Sequence, residues 1–330
     1  MKSKSKIALV TILIGIIFIQ GICVWAALSQ KPSEVKTASG NAVSQTVAEP
    51  VPTTAAPKIK LSSQELKIYC KDSAQLRTVI GYAAEWVSSD PETVSVDEKG
   101  NLTANKAGTV TIKAIDKNGN EAECSVISQK VAYLTIDDWP NKHTITMLET
   151  FKKYDVKATF FLAAQRTHHD IYKMIADEGH TVGNHSYSHN YESIYKNSTS
   201  LINSIDRQNA FLESVTGSKP AMVFRFPGGS TQGKCRAHGT TYPRLLKENG
   251  YQIFDWTTTS GDVSAKADAD YCLNNIKKQC VRDREIILMH NKEHTAKAMP
   301  QIIEYLWSQG YEIAPITKVT ASYCFVLDKK

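Results

Sequence analysis

The chain has 330 residues, of which 42% are hydrophobic and 22% charged, and its formal net charge is +6 at pH 7. This length predicts two domains, or one large domain with an appendage. The composition is that of a chain that folds around a core, which argues against bulk disorder, collagen and a polytopic membrane protein. Lys2, Lys4 and Lys6 supply +3 of the charge, which leaves 6 − 3 = +3 for the remainder. That remainder is too small to indicate a nucleic-acid partner.

The N-terminus is expected to direct the chain out of the cytoplasm. Residues 7–28 form a nearly continuous apolar run behind the lysine cluster. A membrane-spanning helix needs about 20 apolar residues, whereas the apolar core of a signal peptide has about 7–15. We therefore expect residues 1–29 to form an uncleaved transmembrane helix, a single-pass anchor in the cell membrane that leaves the rest of the chain extracellular. Cleavage near Ala27-Leu28-Ser29, followed by secretion, is the alternative.

Two further regions precede residue 130. Residues 30–58 are rich in Ser, Thr, Ala, Val and Pro and lack aromatic residues, which predicts a disordered linker. Residues 59–129 contain short β-type segments, such as 66–69, 93–96 and 109–115, separated by turn sequences, a spacing typical of a β-sandwich. The stretch from Trp86-Val-Ser-Ser-Asp-Pro to Lys106-Ala-Gly-Thr-Val-Thr-Ile resembles the bacterial immunoglobulin-like domains of group 2. That resemblance implies a small Ig-like sandwich that serves as a spacer or binds the cell wall weakly.

Six cysteines follow the apolar run, on the side of the membrane where disulfides are allowed. Cys70 and Cys124 flank the β-type region and are one candidate pair, and the other four allow three pairings. In a helix over 268–281, Cys272 and Cys280 would lie about 12 Å apart, too far to pair with each other.

From residue 131 onward, apolar runs alternate with amphipathic segments. The pattern predicts seven strands, at 131–136, 158–163, 181–184, 221–225, 251–255, 286–289 and 311–314, with helices between them. Repeated βα units indicate a parallel sheet. We therefore predict an α/β domain over 130–320, a deformed (β/α)7 barrel, with an open doubly wound sheet as the alternative. Residues 321–330 are expected to form a C-terminal tail.

Polar residues stand at the carboxyl ends of these strands, where a βα barrel gathers its chemistry. They are Asp137 and Asp138 on the first strand, His185 on the third, Arg225 on the fourth, Asp255 on the fifth and His290 on the sixth. His189 follows His185 by four residues, so both imidazoles can face one ion. With an aspartate they form a His₂Asp set, which leaves metal positions open for water and substrate.

Four segments, taken in order, resemble the motifs of the polysaccharide deacetylases, the NodB-type carbohydrate esterases of family 4. They are Thr135-Ile-Asp-Asp-Trp-Pro140, Gly183-Asn-His-Ser-Tyr-Ser-His189, Arg225-Phe-Pro-Gly228 and Leu288-Met-His290. The resemblance extends over residues 131–317. It implies a metal-dependent enzyme that removes acetyl groups from N-acetylated sugars, on a deformed βα barrel.

The resemblance also implies roles for the matching positions. Asp137 would be the general base, His290 the general acid, and Arg225 the partner that keeps Asp137 ionised. The implied metal ligands are Asp138, His185 and His189. Zn²⁺ is the expected ion, and Co²⁺ or Ni²⁺ suits the same ligands.

The substrate-binding set is expected to lie around the same cleft. A backbone N–H near Gly228 would stabilise the oxyanion, and Leu288 would line the acetyl pocket. The other predicted members are Trp139, Pro227, Asp255 and Asp262.

Three positions depart from the family pattern. Trp139 replaces a glycine of the first motif, and its indole either borders the cleft or packs inward. Gly228 replaces a frequent tyrosine, an exchange that keeps the backbone donor. Thr259 and Val263 replace the aspartate and the tryptophan of the fourth motif, which leaves either Asp255 or Asp262 to support His290.

An anchored extracellular enzyme of this family faces the cell wall. We therefore expect peptidoglycan as the glycan substrate, N-acetylglucosamine as the preferred sugar, and a monomeric protein without a nucleic-acid partner. N-acetylmuramic acid, chitin oligomers and acetylated xylan are the alternative substrates. An alternative of another class, a wall-binding protein whose barrel has lost catalysis, is kept open by the altered fourth motif.

Overall fold

A computed structural model describes residues 58–328 of the chain. The predicted anchor at 1–29, nearly all of the predicted linker and the last two residues lie outside the described residues. No helix between residues 58 and 328 is long and apolar enough to cross a bilayer. The described residues form an all-β region followed by an α/β region, and a single residue, Lys130, separates their last and first strands.

The all-β region is an Ig-like sandwich. Its strands β1–β9 are Lys60–Leu61, Glu65–Tyr69, Ser73–Gln75, Thr78–Ile80, Glu85–Ser88, Val94–Val96, Asn101–Ala104, Gly108–Ile115 and Glu121–Gln129. They form a four-stranded sheet in the order β2-β9-β8-β5, a three-stranded sheet β3-β7-β6 and a β1-β4 pair. Alternate side chains of β8, Val110, Ile112 and Ala114, are buried in the core with Leu102 of β7. Side chains that alternate with a period of two therefore form the core of the predicted sandwich.

The candidate disulfide between Cys70 and Cys124 is not formed. All six cysteines of the described chain are buried and free. β2 and β9 are parallel, with Tyr69 opposite Gln129, so Cys70 lies about six residues, or roughly 20 Å, along the sheet from Cys124. That separation exceeds the reach of a disulfide. The Cys70 thiol lies instead 3.3 Å from the hydroxyl of Ser128.

The α/β region contains eight strands between residues 131 and 313, one more than predicted. Strands β10–β17 are Val131–Asp138, Thr159–Leu162, Thr181–Asn184, Val223–Phe224, Gln252–Ile253, Thr258–Thr259, Arg284–His290 and Glu312–Ile313. The unpredicted strand is β15, which is too short to show a hydrophobic period. It forms because Thr258 and Thr259 pair with Ile287 and Leu288 of β16.

The strands of the α/β region form an open sheet in which paired strands run parallel. Its order is β14-β13-β12-β11-β10-β16-β15, and β17 pairs with the first two residues of β10. Because β14 and β15 remain its two edges, the sheet is a half-barrel. This confirms the predicted α/β class with parallel strands, while the seven-unit barrel is only partly formed. Helices α1–α8 are Lys142–Lys153, His169–Asp177, Tyr191–Ile194, Ser198–Thr216, Gly233–Arg236, Thr241–Glu248, Ala269–Gln279 and Glu293–Ser308.

The two faces of β10 have different neighbours. Ala132, Leu134 and Ile136 pack with the core side chains of α1, α2, α7 and α8. The alternate residues face the inside of the half-barrel, where Tyr133 packs with Phe161 and Ile286. Since side chains alternate along a strand, Asp137 belongs to the inner face. The hydrophobic pattern of the strand therefore directs one of the paired aspartates into the half-barrel.

The Ig-like domain is docked against the α/β domain near the amino ends of the strands. The amine of Lys67 and the hydroxyl of Tyr69 both donate to the carboxylate of Glu312, at 2.7 and 2.5 Å. The carboxylate of Asp72, which is 8% exposed, accepts from the backbone N–H of Ala321 at 2.8 Å and from the hydroxyl of Tyr133 at 3.4 Å. These contacts hold the Ig-like domain against the α/β domain, whereas a freely moving spacer would make no such contacts.

Asp72→Ala tests this docking. The substitution leaves the N–H of Ala321 and the hydroxyl of Tyr133 without their acceptor, and such a loss costs about 1–3 kcal/mol. We expect the urea midpoint, followed by tryptophan fluorescence, to fall accordingly. Glu98→Ala, an exposed acid in the same domain, is the control and should leave the midpoint unchanged. Equal midpoints for the two variants would contradict a contribution of the docking contacts to stability.

Candidate metal and catalytic site

The predicted polar residues of three strand ends meet at the carboxyl edge of the sheet. Asp137 and Asp138 are the last two residues of β10, and His290 is the last residue of β16. The two strands pair with Asp137 opposite His290. His185 directly follows β12, and its backbone N–H donates to the carbonyl of Leu162 at 3.1 Å. Parallel pairing therefore brings distant parts of the sequence to one edge of the half-barrel.

Asp138, His185 and His189 form a cluster of three potential metal ligands. One ligand atom of each lies within 4.8 Å of the others. The Nε2 atoms of His185 and His189 are 3.6 and 3.3 Å from Oδ1 of Asp138. That oxygen is buried and has no hydrogen-bond partner within residues 58–328. A buried carboxylate oxygen without a donor is costly unless a cation neutralises it, so the donor set fits a divalent ion.

The orientation of His185 also fits a metal ligand. Its Nδ1 lies 2.9 Å from the backbone carbonyl of Arg225. A carbonyl oxygen only accepts, so Nδ1 carries the proton and Nε2 presents its lone pair to the cluster. Burial lowers the pKa of His185 to about 3, which keeps the imidazole neutral. The neutral imidazole is the form that binds metals.

Two ligands of the cluster have left-handed backbone conformations. The φ angles are 79° at Asp138 and 54° at His189, and Ser186 between the two histidines has 68°. Such conformations cost about 1–3 kcal/mol each for residues other than glycine and persist only where the surroundings fix them. The side-chain oxygen of Asn184 accepts from the N–H of Ser186 at 2.8 Å, which helps to hold this turn.

Asp137 is bonded to a buried arginine. Nη1 of Arg225 donates to Oδ1 of Asp137 at 2.8 Å, and both side chains are almost fully buried. Burial raises the pKa of the Asp137 carboxyl above its ordinary value, and the charge of Arg225 limits that rise. Oδ2 of Asp137 lies 3.6 Å from Nε2 of His185, so this carboxylate borders the metal cluster.

His290 is supported by Asp262. Nδ1 of His290 is 2.8 Å from Oδ1 of Asp262, and the backbone N–H of His290 donates to Oδ2 at 2.6 Å. Burial alone would lower the pKa of His290, but the hydrogen bond and the charge of Asp262 outweigh it and raise the pKa. With Nδ1 engaged, Nε2 is the ring nitrogen that can transfer a proton.

Asp255, the other candidate for this support, has different partners. Its Oδ1 accepts from the N–H of Ser230 at 2.9 Å, and its Oδ2 accepts from the N–H of Phe325 at 2.7 Å. It therefore fixes the loop after Gly228 and the C-terminal segment. Asp255 and Asp262 are both buried and bonded inside the protein. Their burial argues against the direct substrate contacts that the sequence suggested.

Of the other predicted substrate-binding residues, Trp139 lies next to the cluster. Trp139 is half-buried, its indole N–H donates to the carbonyl of Ala164 at 2.9 Å, and its ring centroid is 5.6 Å from that of His189. Leu288 lies two residues before His290, on the same face of β16. Gly228 is exposed, whereas Pro227 is buried and its carbonyl accepts from Tyr195 at 2.8 Å.

Gly228 is constrained by its backbone and by a neighbour. Its φ is 76°, and a Cβ atom added there would lie 2.9 Å from the hydroxyl of Tyr191. Tyr191 is half-buried, and its ring centroid is 5.3 Å from that of His189. The aromatic hydroxyl beside this loop thus comes from the helix after the histidine motif. This hydroxyl could not be predicted from the sequence, because nothing in the spacing connects Tyr191 with Gly228.

Two further residues escaped the sequence analysis. The hydroxyl of Thr295 donates to Oδ2 of Asp262 at 2.8 Å, and the side-chain amide of Asn291 donates to the backbone carbonyl of Asp137 at 3.0 Å. Both side chains are buried. Their positions just after His290 are the only signal that the sequence carries, and no spacing rule interprets it.

Comparisons with known proteins identify two families in the chain. The family model "Polysaccharide deacetylase" matches residues 126–254, and the model "Bacterial Ig-like domain (group 2)" matches residues 58–126. The peptidoglycan-N-acetylglucosamine deacetylase of Bacillus cereus is 34% identical over 192 residues, which are 56% of this chain and 68% of that protein.

Solved structures give the same result. A polysaccharide deacetylase from Bacillus cereus superposes with a TM-score of 0.55 at 32% identity, over 61% of this chain and 98% of that one. The catalytic domain of the peptidoglycan N-acetylglucosamine deacetylase from Eubacterium rectale superposes with a TM-score of 0.55 at 31% identity, over 60% of this chain and 94% of that one.

Metal titration tests the ligand cluster. We expect equilibrium dialysis to find one divalent ion bound per chain. His189→Gln removes a ligand that is partly open to solvent, so the variant should fold but bind the ion more than roughly 100-fold more weakly. His168→Asn, which changes an exposed histidine outside the cluster, should bind like the unmodified protein. Equal affinity in His189→Gln would contradict the assignment.

Proposed function

Since the chain belongs to the polysaccharide deacetylases, which are hydrolases of N-acetyl amide bonds, we propose that it removes the acetyl group from N-acetylglucosamine in peptidoglycan. The observation that carries the proposal is the pairing of Asp137 with His290 across adjacent strands, beside a His₂Asp cluster. Base, acid and ion ligands thus lie together at the carboxyl edge of the sheet.

Asp137 is the proposed general base. Arg225 orients the carboxylate, and burial raises the pKa of Asp137 above its ordinary value, which makes it a better proton acceptor. It takes the proton of the water molecule that attacks the acetyl carbonyl. When bound to Asp138, His185 and His189, a divalent ion supplies Lewis-acid polarisation and lowers the pKa of water.

His290 is the proposed general acid. Asp262 holds it by Nδ1 and favours the imidazolium, so Nε2 carries a proton that can pass to the departing amine. Without that proton the sugar nitrogen would have to leave as an anion. The backbone N–H of Gly228 is the proposed oxyanion donor, and Leu288 the proposed contact of the acetyl methyl group.

The setting of the enzyme is part of the proposal. We infer a membrane-anchored monomer outside the cell, with residues 59–129 as the Ig-like domain and 130–320 as the catalytic domain, and Zn²⁺ as the ion. The apolar run after the lysine cluster supports the anchor. N-acetylmuramic acid, chitin oligomers and acetylated xylan are the substrates against which peptidoglycan N-acetylglucosamine has to be tested.

An inactive wall-binding protein is the competing function. The exchanges that support this function are Thr259 and Val263, which replace the aspartate and the tryptophan of the family's fourth motif. Thr259 lies in β15, where its hydroxyl accepts from Gly261, and Val263 is 70% exposed. Because Asp262 supplies a carboxylate to His290, these two exchanges do not deprive the histidine of its partner. This contact favours an active enzyme.

Acetate release tests the activity. We expect the Zn²⁺-loaded protein to release acetate from chitotetraose and from peptidoglycan, faster from the latter. Asp137→Asn removes the base and should lower kcat by about 10²–10⁴. Asp177→Asn, an exposed acid on α2, is the matched control and should stay at the unmodified rate. Failure of the metal-loaded protein to release acetate from any glycan would support the wall-binding function.

The pH profile tests the acid. His290 donates only while it is protonated, so activity should decline as the pH rises through its pKa. In Asp262→Asn the negative charge is lost and the pKa of His290 falls. We expect the alkaline limb of the kcat profile to move to lower pH. An unmoved limb would show that His290 is not the titrating acid.

A further inference from the structure

A cationic cavity lies beside the metal cluster, and the proposed chemistry does not use it. Its volume is 520 Å³, and the residues that line it include Arg166, His169, Tyr187 and Arg207. Its lining, all within the described residues, contains two arginines and a histidine and no acidic side chain. A cavity with this lining attracts anions.

The cavity shares its wall with the candidate site. Tyr187 and Ser188, which both line it, are the residues between the metal ligands His185 and His189. Another wall residue, Ala164, donates its N–H to the carbonyl of Tyr187 at 3.2 Å and accepts from the indole of Trp139 at 2.9 Å. A glycan that presents one sugar to the metal ligands therefore has this cavity next to it.

Arg207 is arranged to receive a planar anion. Its guanidinium carbon lies 3.8 Å from the ring centroid of Tyr187, so the ring covers one face of the group. Stacking leaves the N–H groups at the edge of the plane free to donate, and two of them match the oxygens of a carboxylate. Arg166 is exposed on the loop after β11, at the opening of the same cavity.

We propose that the cavity is a subsite for a carboxylate carried by the sugar next to the reacting N-acetylglucosamine. This inference rests on the proposed function and narrows its substrate to glycans with acidic neighbours. In peptidoglycan that neighbour is muramic acid, whose carboxylate is either the free lactyl group or belongs to the peptide stem. Chitin oligomers have no carboxylate, so the subsite would favour wall glycan over chitin.

The test compares kcat/KM on three soluble tetrasaccharides at low ionic strength. They are chitotetraose, a muramic-acid tetrasaccharide without stems and the same tetrasaccharide with stems. In the double variant Arg166→Gln, Arg207→Gln we expect kcat/KM on a carboxylated glycan, divided by kcat/KM on chitotetraose, to fall about tenfold, the ratio that 1.4 kcal/mol represents. Arg244→Gln, an exposed arginine on α6, removes one charge elsewhere and should keep the ratio.

The two muramic-acid substrates distinguish the two sources of the carboxylate. A fall only with the stem-free substrate assigns the cavity to the lactyl carboxylate, and a fall only with the stem-bearing one assigns it to a carboxylate of the peptide. A fall with both means that the cavity accepts either carboxylate. Added salt should reduce the same ratio in the unmodified protein. An unchanged ratio in the double variant would overturn the subsite. Because Asp137→Asn and chitotetraose report the chemistry separately, that result would leave the deacetylase proposal standing.

Discussion

The buried guanidinium of Arg225 is the interaction on which the rest of the α/β domain depends. It donates to the hydroxyl of Thr135, to the carboxylate of Asp137 and to the carbonyls of Phe254 and Asp255. An unpaired charge in this position would strongly destabilise the fold. Removal of one partner of a buried ion pair costs about 3–5 kcal/mol of folding free energy. The same residue presents its own carbonyl to His185. A single side chain and its backbone thus fix the inner face of β10, the end of β14 and the orientation of a metal ligand.

Two buried aspartates of the site differ because their partners differ. Asp137 is almost fully buried beside the arginine and the metal cluster, and its pKa is raised. Burial alone would raise the pKa of Asp262 too, but its bonds to His290 and Thr295 outweigh that effect and lower it. Such opposite shifts separate a proton acceptor from a permanent counterion. The division of labour between base and support therefore arises from the surroundings, since the two side chains are chemically the same.

The sequence predicted the parts of the site that depend on strand direction and period. Strands end at known positions and side chains alternate, so Asp137, His185 and His290 could be placed together without coordinates. The sequence did not predict the contacts that loops make. Neither the choice of Asp262 over Asp255 nor the approach of Tyr191 to Gly228 follows from spacing, because both depend on how loops return to the sheet. The sequence also predicted the α/β class and the parallel strands of the half-barrel, but not β15, whose two residues show no period of their own.

The docking of the Ig-like domain determines which way the cleft faces. The Ig-like domain contacts residues at or near the amino ends of three strands: Tyr133 of β10, Glu312 of β17 and Arg284 of β16. The candidate site lies at the carboxyl ends of the strands. From Tyr133 to Asp138 the strand rises roughly 16 Å. The cleft therefore opens on the edge of the sheet opposite the Ig-like domain. Because these contacts restrain rotation about Lys130, the orientation of the cleft relative to the Ig-like domain is a property of the fold.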